Sequence, residues 1–165
     1  MRRGRRERGH AAVETALMAP WIFVLFIAVF DLGFYSYAVI ATQNAARSAA
    51  MHISRSTTYS GDLTRACLVA RRELQGMPNV GPGLAACAAN AAAVSDSNPI
   101  GVEIQTILEN SSGSLTPLDA PAVTTSAQWA VRVLVTYRSP KLFPLPGLMG
   151  RMTVTRFSEA RIRDL

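Results

Sequence analysis

Between Glu14 and Arg47 the chain carries a single charged side chain, Asp31. Sixteen consecutive uncharged residues, Thr15 to Phe30, stand at the centre of that stretch and are rich in Leu, Ile, Val, Phe and Trp. As a helix they rise about 24 Å at roughly 1.5 Å per residue. A hydrocarbon core of about 30 Å needs some 20 residues. Ala11, Ala12 and Val13 extend the run on one side, and Leu32 to Ile40 extend it on the other, where Ser36 is plainly polar. The pattern predicts one long helix from about residue 11 to about residue 54. Its first half is membrane-embedded and its second half emerges.

Charge placement gives the direction of insertion. The net charge is +6, yet residues 1–9 hold five arginines and one glutamate, so most of the excess sits in nine residues. Basic residues beside a span stay cytoplasmic. The expected topology is single-pass in the cytoplasmic membrane, with the N-terminus inside and the C-terminal part extracytoplasmic. A nucleic-acid-binding surface would instead spread its arginines along a face. The leader would touch phosphate weakly and without sequence preference. No specific nucleic acid and no small-molecule substrate is expected as a partner.

Two acids in the apolar stretch need an account. Asp31 fits the outer interface, where water reaches it. Glu14 lies inside the run, and an acid at the bilayer centre costs about 2.5–3.5 kcal/mol on insertion scales. Either it marks the start of the span or it has a partner. Pro20 removes one helical hydrogen bond and should kink the helix. Membrane helices tolerate this.

The string around Glu14 suggests the partner. A basic leader ends in Gly9, then come His10, Ala11, Ala12, Val13 and Glu14, and an apolar helix follows. This resembles a prepilin-type cleavage site, cut after Gly9, with His10 as the first mature residue and Glu14 as the fifth. Arg8 to Pro20, the acid-Leu-Gly step at Asp31 to Gly33 and the stretch Gln43 to Arg47 together resemble the TadE/TadG-like family. Those are pseudopilins of the tight-adherence (Flp, type IVc) pilus of bacteria and archaea. The resemblance covers residues 8–50. It implies a pilin-like fold, cleavage by a prepilin peptidase, and assembly with other Tad pilins and pilus assembly proteins through the N-terminal helix. Glu14 would face the free amino-terminus of a neighbouring subunit, with Pro20 and Asp31 in the same assembling helix. Two readings stand beside it: an uncleaved single-span anchor carrying an adhesive or scaffolding domain, and a secretory signal cut near Ala41 or Ala50.

Beyond the span the fold class is α+β, pilin-like. Residues 1–9 form the leader, 10–54 the spanning and emerging helix, and 55–165 an extracytoplasmic domain. Tyr35, Val39, Thr42, Ala46, Ala49 and Ile53 share a helical stripe for packing on a small sheet. Asp62 predicts an N-cap for a helix over Leu63 to Gln75, stopped by Gly76 and Pro78. The alanine-rich residues 84–94 read as a short helix around Cys87. Strands are expected at Ile100 to Leu108, Trp129 to Tyr137 and Met152 to Ile162, in an antiparallel sheet. Residues 109–128 read as a long loop and 139–150 as a connector.

Cys67 and Cys87 lie twenty positions apart on the outer side, where a disulfide is permitted. The alternative is two separate buried thiols. The chain has only two histidines, His10 and His52, and no HExxH, CxxC or phosphate-binding glycine loop. No metal, cofactor or enzymatic activity is expected. Asn110-Ser111-Ser112 matches a glycosylation triplet of a kind that arises often by chance.

Overall fold

The computed structural model describes residues 4–55, 59–81, 87–109, 115–117, 128–141 and 151–162, with the backbone alone for 4–9, 108–109, 115–117 and 128. The class is α+β. Two compact units divide the chain, Met1–Tyr37 and Ala38–Leu165.

The first unit is helical. Helix α1 runs from Gly4 to Ile53 and continues past Pro20 without ending there. It begins earlier than residue 11, taking in Gly9 and the arginines from Arg5 onward. Arginine is a good helix former, so local propensity carries the helix back through the basic residues before Gly9. Residues 10–37 of α1 rise about 42 Å, enough to cross a hydrocarbon core of about 30 Å. Two hydroxyls on this stretch are satisfied within the helix. Thr15 Oγ1 donates to the Ala11 carbonyl at 2.9 Å and Ser36 Oγ to the Leu32 carbonyl at 2.9 Å. Such i−4 bonds remove a donor that lipid could not satisfy.

The second unit holds the end of α1, helix α2 (Leu63–Glu73) and strands β1 (Ile100–Glu109), β2 (Leu115–Pro117), β3 (Gln128–Arg138) and β4 (Thr153–Arg161). The strands form one antiparallel sheet in the order β2-β1-β3-β4. The pleat sorts the side chains into two faces. Ile100 and Val102 of β1, Val131, Val133, Val135 and Tyr137 of β3, and Val154 of β4 are buried on one face. The other face is largely polar. There Arg132 pairs with Glu159 at 2.6 Å, Thr136 bonds Thr155 at 3.0 Å, and exposed Phe157 lies under the Arg132 guanidinium.

Within this unit, α1 buries Ala38, Thr42, Ala45, Ala46, Ala49, Ala50 and Ile53. Alanine keeps that side of the helix thin, so its backbone can sit close to its neighbours. The Thr42 hydroxyl donates back to Ala38 at 2.7 Å, which satisfies it in a dry position. Gln43 donates to the Phe157 carbonyl on β4 at 3.3 Å. Of the stripe expected to pack, Thr42, Ala46, Ala49 and Ile53 are buried, while Tyr35 is exposed.

Asp62 caps α2, accepting from the Arg65 backbone N–H at 3.0 Å and from its side chain at 2.9 Å. The helix ends at Glu73, two residues short of the expected Gln75. Cys67 on the buried side of α2 is bonded to Cys87, with Cα atoms 5.8 Å apart. The alanine-rich stretch differs from expectation. Instead of a helix around Cys87, Ala88 forms a parallel bridge to Gly101, and a single 3-10 turn follows at Ala91–Ala93. Ala88 N–H donates to the Ile100 carbonyl at 2.8 Å and its carbonyl accepts from Val102 at 2.9 Å. The bond at Cys87 and the bare edge of β1 outweigh alanine's helical preference. Residues 84–86 of that stretch lie outside the described residues, as does the Asn110 triplet. Gly101 is required here by space: a Cβ would stand 2.7 Å from Val94 Cγ2 and 2.9 Å from the Asn90 carbonyl oxygen.

The expected loop over 109–128 also holds structure. β1 runs on to Glu109, and Leu115–Pro117 pair with Ile107 to Glu109. Proline is tolerated there because β2 is an edge strand. The rest of that stretch, and residues 142–150 of the connector, lie outside the described residues.

Candidate processing and assembly site

The residues singled out in the N-terminal region all fall on α1. Gly9, His10, Glu14, Pro20 and Asp31 lie in one uninterrupted helix. His10 and Glu14 are one turn apart, a spacing that sets them on the same helix face. Both are exposed, whereas Asp31 is half-buried. Cys67 and Cys87 belong to the second unit and form the bond described above.

Gly9 is the weak point of this part of the helix. Glycine in a helix interior costs about 1 kcal/mol relative to alanine. It also offers no side chain to obstruct an approach to its peptide bond.

Around the acids the helix surface is apolar and uncovered. Leu17 is 71% exposed, and Trp21 and Phe26 are each 70% exposed. Val13, Ile22, Phe23, Leu25, Val29 and Leu32 are exposed as well. A ring of large apolar side chains on all sides of a helix is stable only in lipid or against other apolar helices. This is the one helix among the described residues long and apolar enough to cross a membrane. A carboxylate such as Glu14 in that setting is stabilised by a cation brought to it.

No group of three or more His, Cys, Asp or Glu that could hold a metal is present among the described residues. Sequence reasoning missed Gln43 as a packing residue. It belongs to the Gln43-Asn44-Ala45-Ala46-Arg47 stretch, but its reach to the Phe157 carbonyl joins residues 114 positions apart, and no local pattern encodes that.

No curated protein and no solved structure gives a significant match to the chain. The model of the TadE-like protein family matches residues 9–51. That interval starts at the glycine before His10 and ends two residues before α1 does, so the similarity lies within α1.

Proposed function

We propose that this protein is a TadE-like pseudopilin, or minor pilin, that takes part in assembling a tight-adherence pilus. The family match along α1 carries this reading. The chain inserts once, arginines inside, with the disulfide-bonded unit outside the cytoplasm. A prepilin peptidase opens the helix at Gly9 and removes residues 1–9. The new amino group at His10 then lies at the membrane boundary of one subunit, and Glu14 of a neighbour accepts it. Each charge lowers the burial cost of the other, so the pair forms only between subunits that are packed side by side. Other Tad pilins supply the remaining apolar cover for α1, and lipid supplies it before assembly.

The test is the intact mass and N-terminal sequence of the membrane-extracted protein, with and without the native peptidase. A chain that starts at His10 only when the peptidase is present supports the proposal. A chain that keeps residues 1–9 under both conditions makes it an uncleaved anchor and leaves Glu14 without its partner. After cleavage, Glu14→Gln is expected to leave processing intact and to lower recovery of the protein in sheared pilus fractions.

A further inference from the structure

Strands β1, β3 and β4 turn one face away from the buried valines, and their register sets that face in rows. Gln105, Arg132 and Glu159 form one row, and Glu103, Leu134 and Phe157 form the next. Gly101, Thr136 and Thr155 form a third. Neighbouring strands lie about 4.8 Å apart and successive rows about 7 Å apart, so the rows make a shallow array. At the third row a Cβ on Gly101 would meet Val94 and the Asn90 carbonyl, so residues 90–94 stand over that end as a rim. Along β4, Thr155, Phe157 and Glu159 are all exposed.

An isolated exposed aromatic is ordinary on a protein surface. Phe157 differs in its surroundings, because each charged side chain in the first two rows is already bonded to a neighbour. Arg132 Nε and Nη2 donate to Glu159 Oε1 at 2.8 and 2.6 Å, and Gln105 Nε2 donates to Glu103 Oε1 at 2.9 Å. The Arg132 guanidinium lies 5.2 Å from the centre of the Phe157 ring, yet Phe157 remains 56% exposed. Gln43 pins the strand at this point through the Phe157 carbonyl. Ring and polar groups are therefore held in place before a ligand arrives, which lowers the ordering cost of binding.

Charge selects the ligand. A polyanion would meet two carboxylates, Glu103 and Glu159, and one guanidinium that is already engaged. A cationic ligand would have to displace Arg132 from Glu159. An apolar segment would find one ring and the half-buried Leu134. A neutral sugar suits all of these groups. The C–H bonds on one side of a pyranose match the negative face of an aromatic ring. Its hydroxyls both donate and accept. Two carboxylates with about four lone-pair sites each, the Gln105 amide, the Arg132 guanidinium and the Thr155 hydroxyl can answer them. We infer that this face of the sheet, centred on Phe157, binds neutral pyranose units of a polysaccharide. The inference depends on neither cleavage at Gly9 nor assembly through α1.

Saturation-transfer difference NMR on the full-length chain tests this. The protein is held in an amine-oxide detergent, because maltoside detergents would present competing sugars. The probes are cellohexaose, maltohexaose, mannohexaose and chitohexaose. The expected result is transfer to the ring protons of at least one of them, unchanged between about 0.05 and 0.5 M salt, a range over which a charged ligand would be screened away. Phe157→Ala should weaken that binding about tenfold, the loss of one aromatic contact. Phe157→Trp should keep it, because indole offers a larger face, and Leu68→Ala on exposed α2 should leave it unchanged. Phe157 is exposed, and formation of the Cys67–Cys87 bond, read by mass, shows that each variant folds. Absence of transfer to all four sugars, binding that fades with salt, or equal binding by Phe157→Ala overturns the inference. Self-association that Phe157→Ala abolishes and no sugar competes with overturns it too, since the face would then receive a second copy.

Discussion

Tyr137 ties the second unit together at one atom. Its ring lies in the buried face of the sheet, and its hydroxyl donates to the Pro78 carbonyl at 2.9 Å and meets Asn79 Oδ1 at 3.2 Å. Asn79 holds the turn with a positive φ of 63° and donates its amide to the Arg138 carbonyl. Burial pushes the Tyr137 phenol well above its ordinary value. The consequence for stability has a definite sign. Below about pH 10 the phenol is neutral in both folded and unfolded chains. Above it the unfolded chain releases a proton that the folded one retains, so stability falls as pH rises. Tyr137→Phe should remove this alkaline slope and cost about 1–2 kcal/mol at neutral pH through the lost hydrogen bonds. Thermal melts at pH 7 and above pH 10 would read both effects.

At the scale of elements, the disulfide and the Ala88 bridge act as one unit. Cys67 sits on α2, and Cys87 immediately precedes the residue that bonds the edge of β1. The bond therefore joins a helix to a sheet edge through a segment with little structure of its own. Replacing both cysteines by serine should cost about 3 kcal/mol, the chain entropy of a loop this size. The change should appear as a lowered denaturation midpoint, with earlier hydrogen exchange at the amide of Val102. Local signals made much of this scale legible in the sequence. Asp62 announces α2 because an N-cap is a contact within one turn. The alternation from Trp129 to Tyr137 announces β3 because its two faces meet different surroundings. The Ala88 bridge and β2 escaped because each depends on a distant partner: Ala88 on Gly101, and Leu115 to Pro117 on Ile107 to Glu109. Alanine at position 88 and proline at position 117 argue locally against a strand.

For the whole molecule, the dominant choice is between water and lipid, and it is made by residues 10–37. An arginine placed in this stretch opposes that choice directly. Leu25→Arg should weaken insertion by about 2.5–3.5 kcal/mol on the translocon scale, shifting the protein from the membrane pellet toward the alkaline-carbonate supernatant. The apolar run made this level the plainest to read from sequence, since length and charge alone decide it. The proposed processing site rests on a spacing alone, Gly9 to Glu14. Which side of residues 40–51 is covered was not legible, because they look like one amphipathic helix until the fold of the second unit buries Ala45, Ala46 and Ala49 and leaves Ile40 and Met51 exposed.

The ends of the sheet have a consequence for life in a crowd. The outer strand β2 finishes in Pro117, which has no N–H to offer, and the Phe157 carbonyl on β4 is occupied by Gln43. Ala88 takes up the opening residues of β1. Rows of free backbone groups are what let sheets from separate molecules zip together. At these three places a second sheet finds no backbone partner to pair with.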